Sequence, residues 1–306
     1  MLALAAVAAA FCLLSVLLYY ASAVALAHSS FRFSRISAGD IHVDVLVAGN
    51  SRARDLLSGN APDVVQDVDQ DGAPGNGPSV FNLAYNGLSR ADTIAWIKTF
   101  FRQGNSAGTI LIETSTLYED QHFCDSKPYW VVFPELRAAQ RAACGKDARR
   151  ARYFPLTLFN SEQYLRALYY FAWNRHGDQD WADDYEIPPA LCARLPLDNV
   201  FAFQRLALRL DLASAGGDIA ELKAWLASHG YRARLVFVLA PFLAAPDALA
   251  AIADMDRTAS RLLGRDDNLS LSTALGSDCH DFADSEHIGP EGRRKVRGLL
   301  FRYLGY

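Results

Sequence analysis

Four short apolar runs, with a weaker fifth strand signal, constrain this chain more than anything else in it. They fall at 44–48, 80–84, 109–113, 235–239 and 269–273. Runs such as Val45-Leu46-Val47-Ala48 and Leu235-Val236-Phe237-Val238-Leu239 show no alternation of apolar and polar residues. A strand of that kind is buried on both faces, as in a parallel sheet covered by helices on each side. Stretches of helical period supply the covering. Over 91–101, Ile94, Ile97 and Phe101 recur three or four residues apart. Over 218–228, Asp218 is placed to cap, Ile219, Leu222 and Leu226 line one face, and Gly230 follows. A helix over 246–263 starts with Pro246 and stops at Gly264, and a last one opens at Gly289-Pro290 and runs to 304. Strands alternating with helices predict an α/β fold: one doubly wound domain on a mainly parallel five-stranded sheet. With 306 residues, 51% of them hydrophobic, the chain is long and apolar enough for a full core. That domain spans 44–306, with irregular insertions around 118–153 and 176–215.

Residues 2–27 carry no charged side chain, which is long enough for a transmembrane helix. The run exceeds an ordinary signal core and lacks a basic start, so 1–27 reads as an uncleaved signal-anchor, with 28–43 as linker. The rival is a cleaved signal peptide, since Ala25-Leu26-Ala27 has the look of a cleavage site. Arg32 and Arg35 follow the span and by themselves place the domain in the cytoplasm. The cysteines point the other way. Cys12 lies in the span, while Cys124, Cys144, Cys192 and Cys279 form an even set beyond it. Such a set suits two disulfides in an oxidising compartment, with Cys124–Cys144 as the local pairing. We therefore expect a single-pass membrane protein whose domain faces the periplasm or the extracellular side. Four unpaired thiols in a cytosolic domain are the alternative.

A net charge of -4 and the lack of any basic run argue against nucleic acid as a partner. No metal or cofactor is expected. There is no C-x-x-C pair, and the calcium-like stretch Asp67 to Gly72 lacks its closing acid, which would fall at Pro78.

Two short stretches carry chemistry. Gly49-Asn50-Ser51-Arg52 follows the first apolar run. A glycine there permits a tight turn, and a serine at the C-terminal end of a parallel strand stands where open α/β sheets hold their sites. The plainer reading makes Ser51 a helix cap. Near the C-terminus, Asp284-Ser285-Glu286-His287 precedes the last helix. Asp284 is placed to accept from one imidazole nitrogen of His287, leaving the other free to take a proton from a serine. A parallel sheet brings Ser51, after the first strand, and His287, after the last, to one edge. His280, close to Asp278, ranks second as a base. Glu113, at a strand end, is read as solvated or substrate-binding, and Arg52 as a holder of an anionic or sugar group or a surface ion pair. The aromatic residues of 164–173 read as core before sugar-stacking platforms.

Together these blocks resemble the SGNH (GDSL-type) hydrolase superfamily. Gly49-Asn50-Ser51 is similar to its first block, with Asn for Asp; Asn86-Gly87 to its second; and Asp284-x-x-His287 to its fourth. Glu113-Thr114-Ser115 stands in place of the third block, Gly-x-Asn. An ordinary α/β-hydrolase is less similar, because Ala53 replaces the closing Gly of its elbow motif. The resemblance implies a flavodoxin-like sheet, Ser51 as nucleophile, His287 as base and Asp284 as the orienting carboxylate. It implies an oxyanion hole from the N–H groups of Ser51 and Gly87, with Thr114 or Ser115 substituting for the missing Asn, and substrate contacts at Arg52 and Asn86. Membrane-anchored relatives of this layout O-acylate exported polysaccharides. The expected activity is thus acyl transfer or ester hydrolysis, of O-acetyl groups above all, on a cell-envelope glycan. An integral-membrane acyltransferase would be the acyl donor. The alternative is a catalytically silent subunit that binds glycan or a membrane partner.

Overall fold

The computed structural model describes residues 39–57, 78–85, 88–119, 195–264 and 268–306, with scattered positions between 6 and 36. The chain divides into two compact units, Met1–Asp40 with His122–Gln179, and Ile41–Gln121 with Asp180–Tyr306. The first lies almost wholly outside the described residues. So do most of the expected span at 1–27, the calcium-like loop, the aromatic stretch at 164–173, and Cys124, Cys144 and Cys192. Val7, Leu13, Leu14 and Leu17 are exposed, and among the described residues no helix is long and apolar enough to cross a membrane.

The second unit is built on five strands: β1 (His42–Ala48), β2 (Val80–Asn82), β3 (Ser106–Glu113), β4 (Arg234–Leu239) and β5 (Asn268–Ser270). Every pairing is parallel and the order is β2-β1-β3-β4-β5. Among the described residues the helices are α1 (Ser51–Leu56), α2 (Arg90–Arg102), α3 (Asp198–Arg209), α4 (Leu212–Ser228), α5 (Leu249–Leu263) and α6 (Pro290–Leu304).

The uninterrupted apolar strands are explained by cover on both faces. Val45, Val47, Leu111, Val236 and Val238 pack with Ala53 and Leu56 of α1 and with Val296 and Leu300 of α6. The alternate positions Leu46 and Ile110 are equally buried on the other face. Leu46 pairs in register with Phe81, whose ring stacks on Phe100 of α2 at 5.9 Å. The sheet is therefore doubly wound.

Two expectations change. The helix expected from Asp218 begins at Leu212, capped by Asp211, whose carboxylate accepts from the N–H groups of Ala213 and Ser214. Gly216 and Gly217 sit inside it facing open space, and Asp218 reaches out to Arg90 instead of capping. Within the expected irregular insertion at 176–215, α3 forms a helix that buries Val200 and Ala207.

The topology fixes where a site can stand. Strand order reverses between β1 and β3, since the chain leaves β1 for β2 on one side and returns to β3 on the other. In open α/β sheets, sites form beyond the C-terminal ends of the strands at such a switch point. Ser51 follows β1 there, and Glu113-Thr114-Ser115 closes β3.

Candidate active site

The turn after β1 is made by Gly49. Its φ of 141° lies where L side chains are strained, and a Cβ there would stand 2.8 Å from both Ala53 Cβ and Thr116 Oγ1. Asn50, buried, then caps α1: its side-chain oxygen accepts from the Arg52 N–H at 3.1 Å, and its own N–H donates to Thr116 Oγ1 at 3.0 Å. Because Asn50 takes the capping role, the Ser51 hydroxyl is left for other work. As the first residue of α1, Ser51 also has a backbone N–H without an intrahelical acceptor.

The opposing turn is equally determined. Phe282 and Ile288 form an antiparallel bridge, Ala283 N–H donates to the His287 carbonyl at 2.8 Å, and Gly289 N–H donates to the Asp281 carbonyl at 2.8 Å. Inside this loop Asp284 Oδ1 accepts from the N–H groups of Glu286 and His287, each at 2.8 Å. Its second oxygen, Oδ2, lies 2.7 Å from His287 Nδ1, and His287 Nε2 lies 2.8 Å from Ser51 Oγ. An ionised carboxylate only accepts, so Nδ1 carries the proton and Nε2 is the acceptor facing the serine hydroxyl. The three residues that the sequence puts together are brought together.

The charges support this arrangement. Burial works against the charged His287, but the hydrogen bond and charge of Asp284 outweigh it, helped by Glu286 and Asp55, and raise its pKa above the usual value. Burial likewise opposes the Asp284 carboxylate, yet its bonds to His287 and to the Glu286 and His287 N–H groups hold its pKa below the ordinary range. The His287 side chain keeps 21% exposure, enough to be reached. A nucleophile, a base poised on it and a carboxylate orienting that base are the parts of serine-based acyl transfer. Among the described residues, Asp284, Glu286 and His287 are the group with metal-ligand chemistry, their ligand atoms within 4.8 Å of one another. Both His287 nitrogens are already engaged with Asp284 and Ser51.

Other expected roles fall away. Arg52 does not face a substrate. It is 1% exposed, and its guanidinium donates to the carbonyls of Ala240 (2.6 Å), Pro241 (2.9 Å) and Glu286 (3.2 Å), with Cζ 3.4 Å from the Phe242 ring centroid. Glu113 is neither solvated nor at the substrate: it is fully buried and accepts from Ala240 N–H and Thr116 N–H. Thr114 and Ser115 are fully buried too, folded under the elbow by the 3-10 turn Thr114–Tyr118. Ser115 gives its hydroxyl to the Glu113 carboxylate, so neither side chain reaches out as an oxyanion donor. His280 is exposed and pairs with Asp278. Asn86 and Gly87 lie outside the described residues.

The sequence reading also missed residues. Asn50 and Thr116 hold the elbow, and Glu286 and Glu119 bring acid groups close to it. Burial and the nearby Glu113 push the Glu119 carboxyl up to about 7, against the hydrogen bond from Asn50. Burial also raises Glu286. Comparison with protein-family models, with curated proteins and with solved structures finds no match.

Proposed function

We propose that this protein is a serine-dependent acyl-transfer enzyme, an esterase or O-acyltransferase similar to SGNH-type hydrolases. The observation that carries the reading is His287 bridging Ser51 Oγ and Asp284 Oδ2 at 2.8 and 2.7 Å. Ser51 Oγ attacks an ester carbonyl while His287 Nε2 takes its proton, and the tetrahedral oxyanion collapses with loss of the alcohol, protonated by His287. The Ser51 acyl ester then passes its acyl group to water or to a glycan hydroxyl, which gives its proton to His287 on attack, and His287 returns that proton to Ser51 Oγ as the bond to Ser51 breaks. The backbone N–H of Ser51 is a donor for the oxyanion, and Gly87 is the proposed second. The uncharged 1–27 stretch and the cysteine set support a membrane anchor with the domain facing the periplasm or the extracellular side. Cys279 is buried and disulfide-bonded, its partner outside the described residues, which favours that compartment. In that setting the substrate is an O-acylated envelope or exported polysaccharide, and an integral-membrane acyltransferase supplies acyl groups.

A second reading, a catalytically silent glycan- or partner-binding subunit, is favoured by one observation: the buried Thr114 and Ser115 leave the oxyanion hole without a side-chain donor from that block. Labelling with a fluorophosphonate separates the two. The enzyme reading expects covalent modification at Ser51, lost in Ser51→Ala and His287→Ala. A folded wild-type protein that does not label, and releases no acetate from an acetylated glycan or aryl ester, refutes it.

A further inference from the structure

Beneath the catalytic turn lies a buried polar ring that the acyl-transfer chemistry does not itself use. Asn50 Nδ2 donates to Ser115 Oγ at 3.3 Å, and Ser115 donates to Glu113 Oε2. Asn50 N–H donates to Thr116 Oγ1, and Thr116 N–H donates to the same Glu113 oxygen at 3.2 Å. On the other side Arg52 Nη1 stands 3.8 Å from Glu113 Oε1, both side chains fully buried. Arg52 in turn holds the Ala240 and Pro241 carbonyls beyond β4 and the carbonyl of Glu286, the residue before His287. Asn50 and Arg52 are the two chain neighbours of Ser51, and both lead to one carboxylate.

Burying an arginine and a glutamate costs several kcal/mol per ion, and apolar residues of the same volume are often as stable. Arg52 Nη1 even lacks a hydrogen-bond partner within this ring. What the ion pair supplies that an apolar pair would not is direction. Its bonds end on the nucleophile's flanks and on the loop bearing the base.

We propose that Glu113 is the positioning residue of this site: it fixes Asn50 through Ser115 and Thr116, Arg52 by ion pairing, and through Arg52 the loop carrying His287, so setting the Ser51–His287 geometry. This gives the Glu113-Thr114-Ser115 block a role that does not require facing the substrate. It also accounts for Asn50. A carboxylate there would have no proton to donate to Ser115 and would face Glu119 Oε1, now 3.5 Å from Asn50 Nδ2. The inference rests on the serine-enzyme reading above.

The test uses the full-length protein: wild type, Ser115→Ala, Glu113→Gln and Arg52→Lys, with thermal unfolding, fluorophosphonate labelling rate, and kcat and KM on an aryl ester. Misplacing reacting groups by about 1 Å costs on the order of 100-fold. Glu113→Gln and Ser115→Ala should therefore lower kcat and labelling roughly 10- to 100-fold, with KM little changed. Arg52→Lys should fail to restore wild-type kcat, because an ammonium lacks the planar fork that reaches three carbonyls. Ser115→Ala keeps both buried charges, so it decides the matter if Glu113→Gln does not fold. Folded Ser115→Ala with wild-type kcat and labelling overturns the proposal, as does a rise in KM matching the fall in kcat. A wild-type protein that never labels overturns the serine-enzyme reading, and this inference with it.

Discussion

Replacing Asp284 by Asn isolates the tautomer argument. The carboxylate now makes three hydrogen bonds, two through Oδ1 to backbone N–H groups and one through Oδ2 to His287 Nδ1. An Asn side chain keeps its oxygen for the two backbone donors, so the turn should survive. Its amide nitrogen then meets Nδ1 as a donor, and the imidazole is favoured in the tautomer with hydrogen on Nε2. That nitrogen no longer accepts the Ser51 proton. The same exchange in a serine triad of another fold costs about 10⁴ in kcat, or about 5 kcal/mol of barrier. We expect a loss of that order in aryl-ester turnover and in fluorophosphonate labelling, with thermal unfolding little changed.

The pH profile gives an independent check. Activity needs neutral His287, whose pKa is raised, so the wild-type rate should climb with pH through a midpoint above the ordinary histidine value. In Asp284→Asn the opposing effect of burial remains and the main raising effect is gone, so the midpoint of the residual activity should move to lower pH. A folded variant that labels at the wild-type rate, with an unshifted profile, would refute the reasoning.

Gly292→Ala should destabilise the protein, because a Cβ there would stand 2.1 Å from the Asp281 carbonyl oxygen and push α6 off the loop that carries Asp284 and His287. Overpacking of this kind costs about 1–3 kcal/mol, read as a lower melting temperature together with slower labelling. Glu119→Gln should flatten the dependence of stability on pH. The folded-state pKa of Glu119 is raised to about 7, so its contribution is full below the unfolded carboxyl value and is lost as pH rises through about 7. The variant should gain on wild type in melts at pH 8 relative to pH 5, and an equal pH dependence in both proteins would refute the assignment.

The unalternating apolar runs at 45–48 and 235–239 point to a parallel sheet, because a strand buried on both faces is apolar at successive positions. Strand positions held to within a few residues, and so did the last helix, whose Pro290 and Gly305 mark its ends. Helices without such markers were harder to read. Asp218 looks like a cap yet lies inside α4, which starts at Leu212, and α3 falls in a stretch that reads as irregular, its burial coming from packing against α5 and the Thr114–Tyr118 turn. The Ser51–His287–Asp284 arrangement was legible because Ser51 and His287 follow strands that end at one edge of the sheet, and Asp284 and His287 meet within one turn. The surroundings of Ser51 were not legible. Arg52 and Glu113 are residues a sequence puts at the surface, since burying a charge is costly. What brought them inside was the folded arrangement itself. The ends of β1, β3 and β4 and the loop at Glu286 converge on one point, and their carbonyls and N–H groups make a buried guanidinium and carboxylate affordable. Ser51 could be found from its neighbours in sequence. What holds it in place is decided by residues up to 236 positions away, which only the tertiary structure brings together.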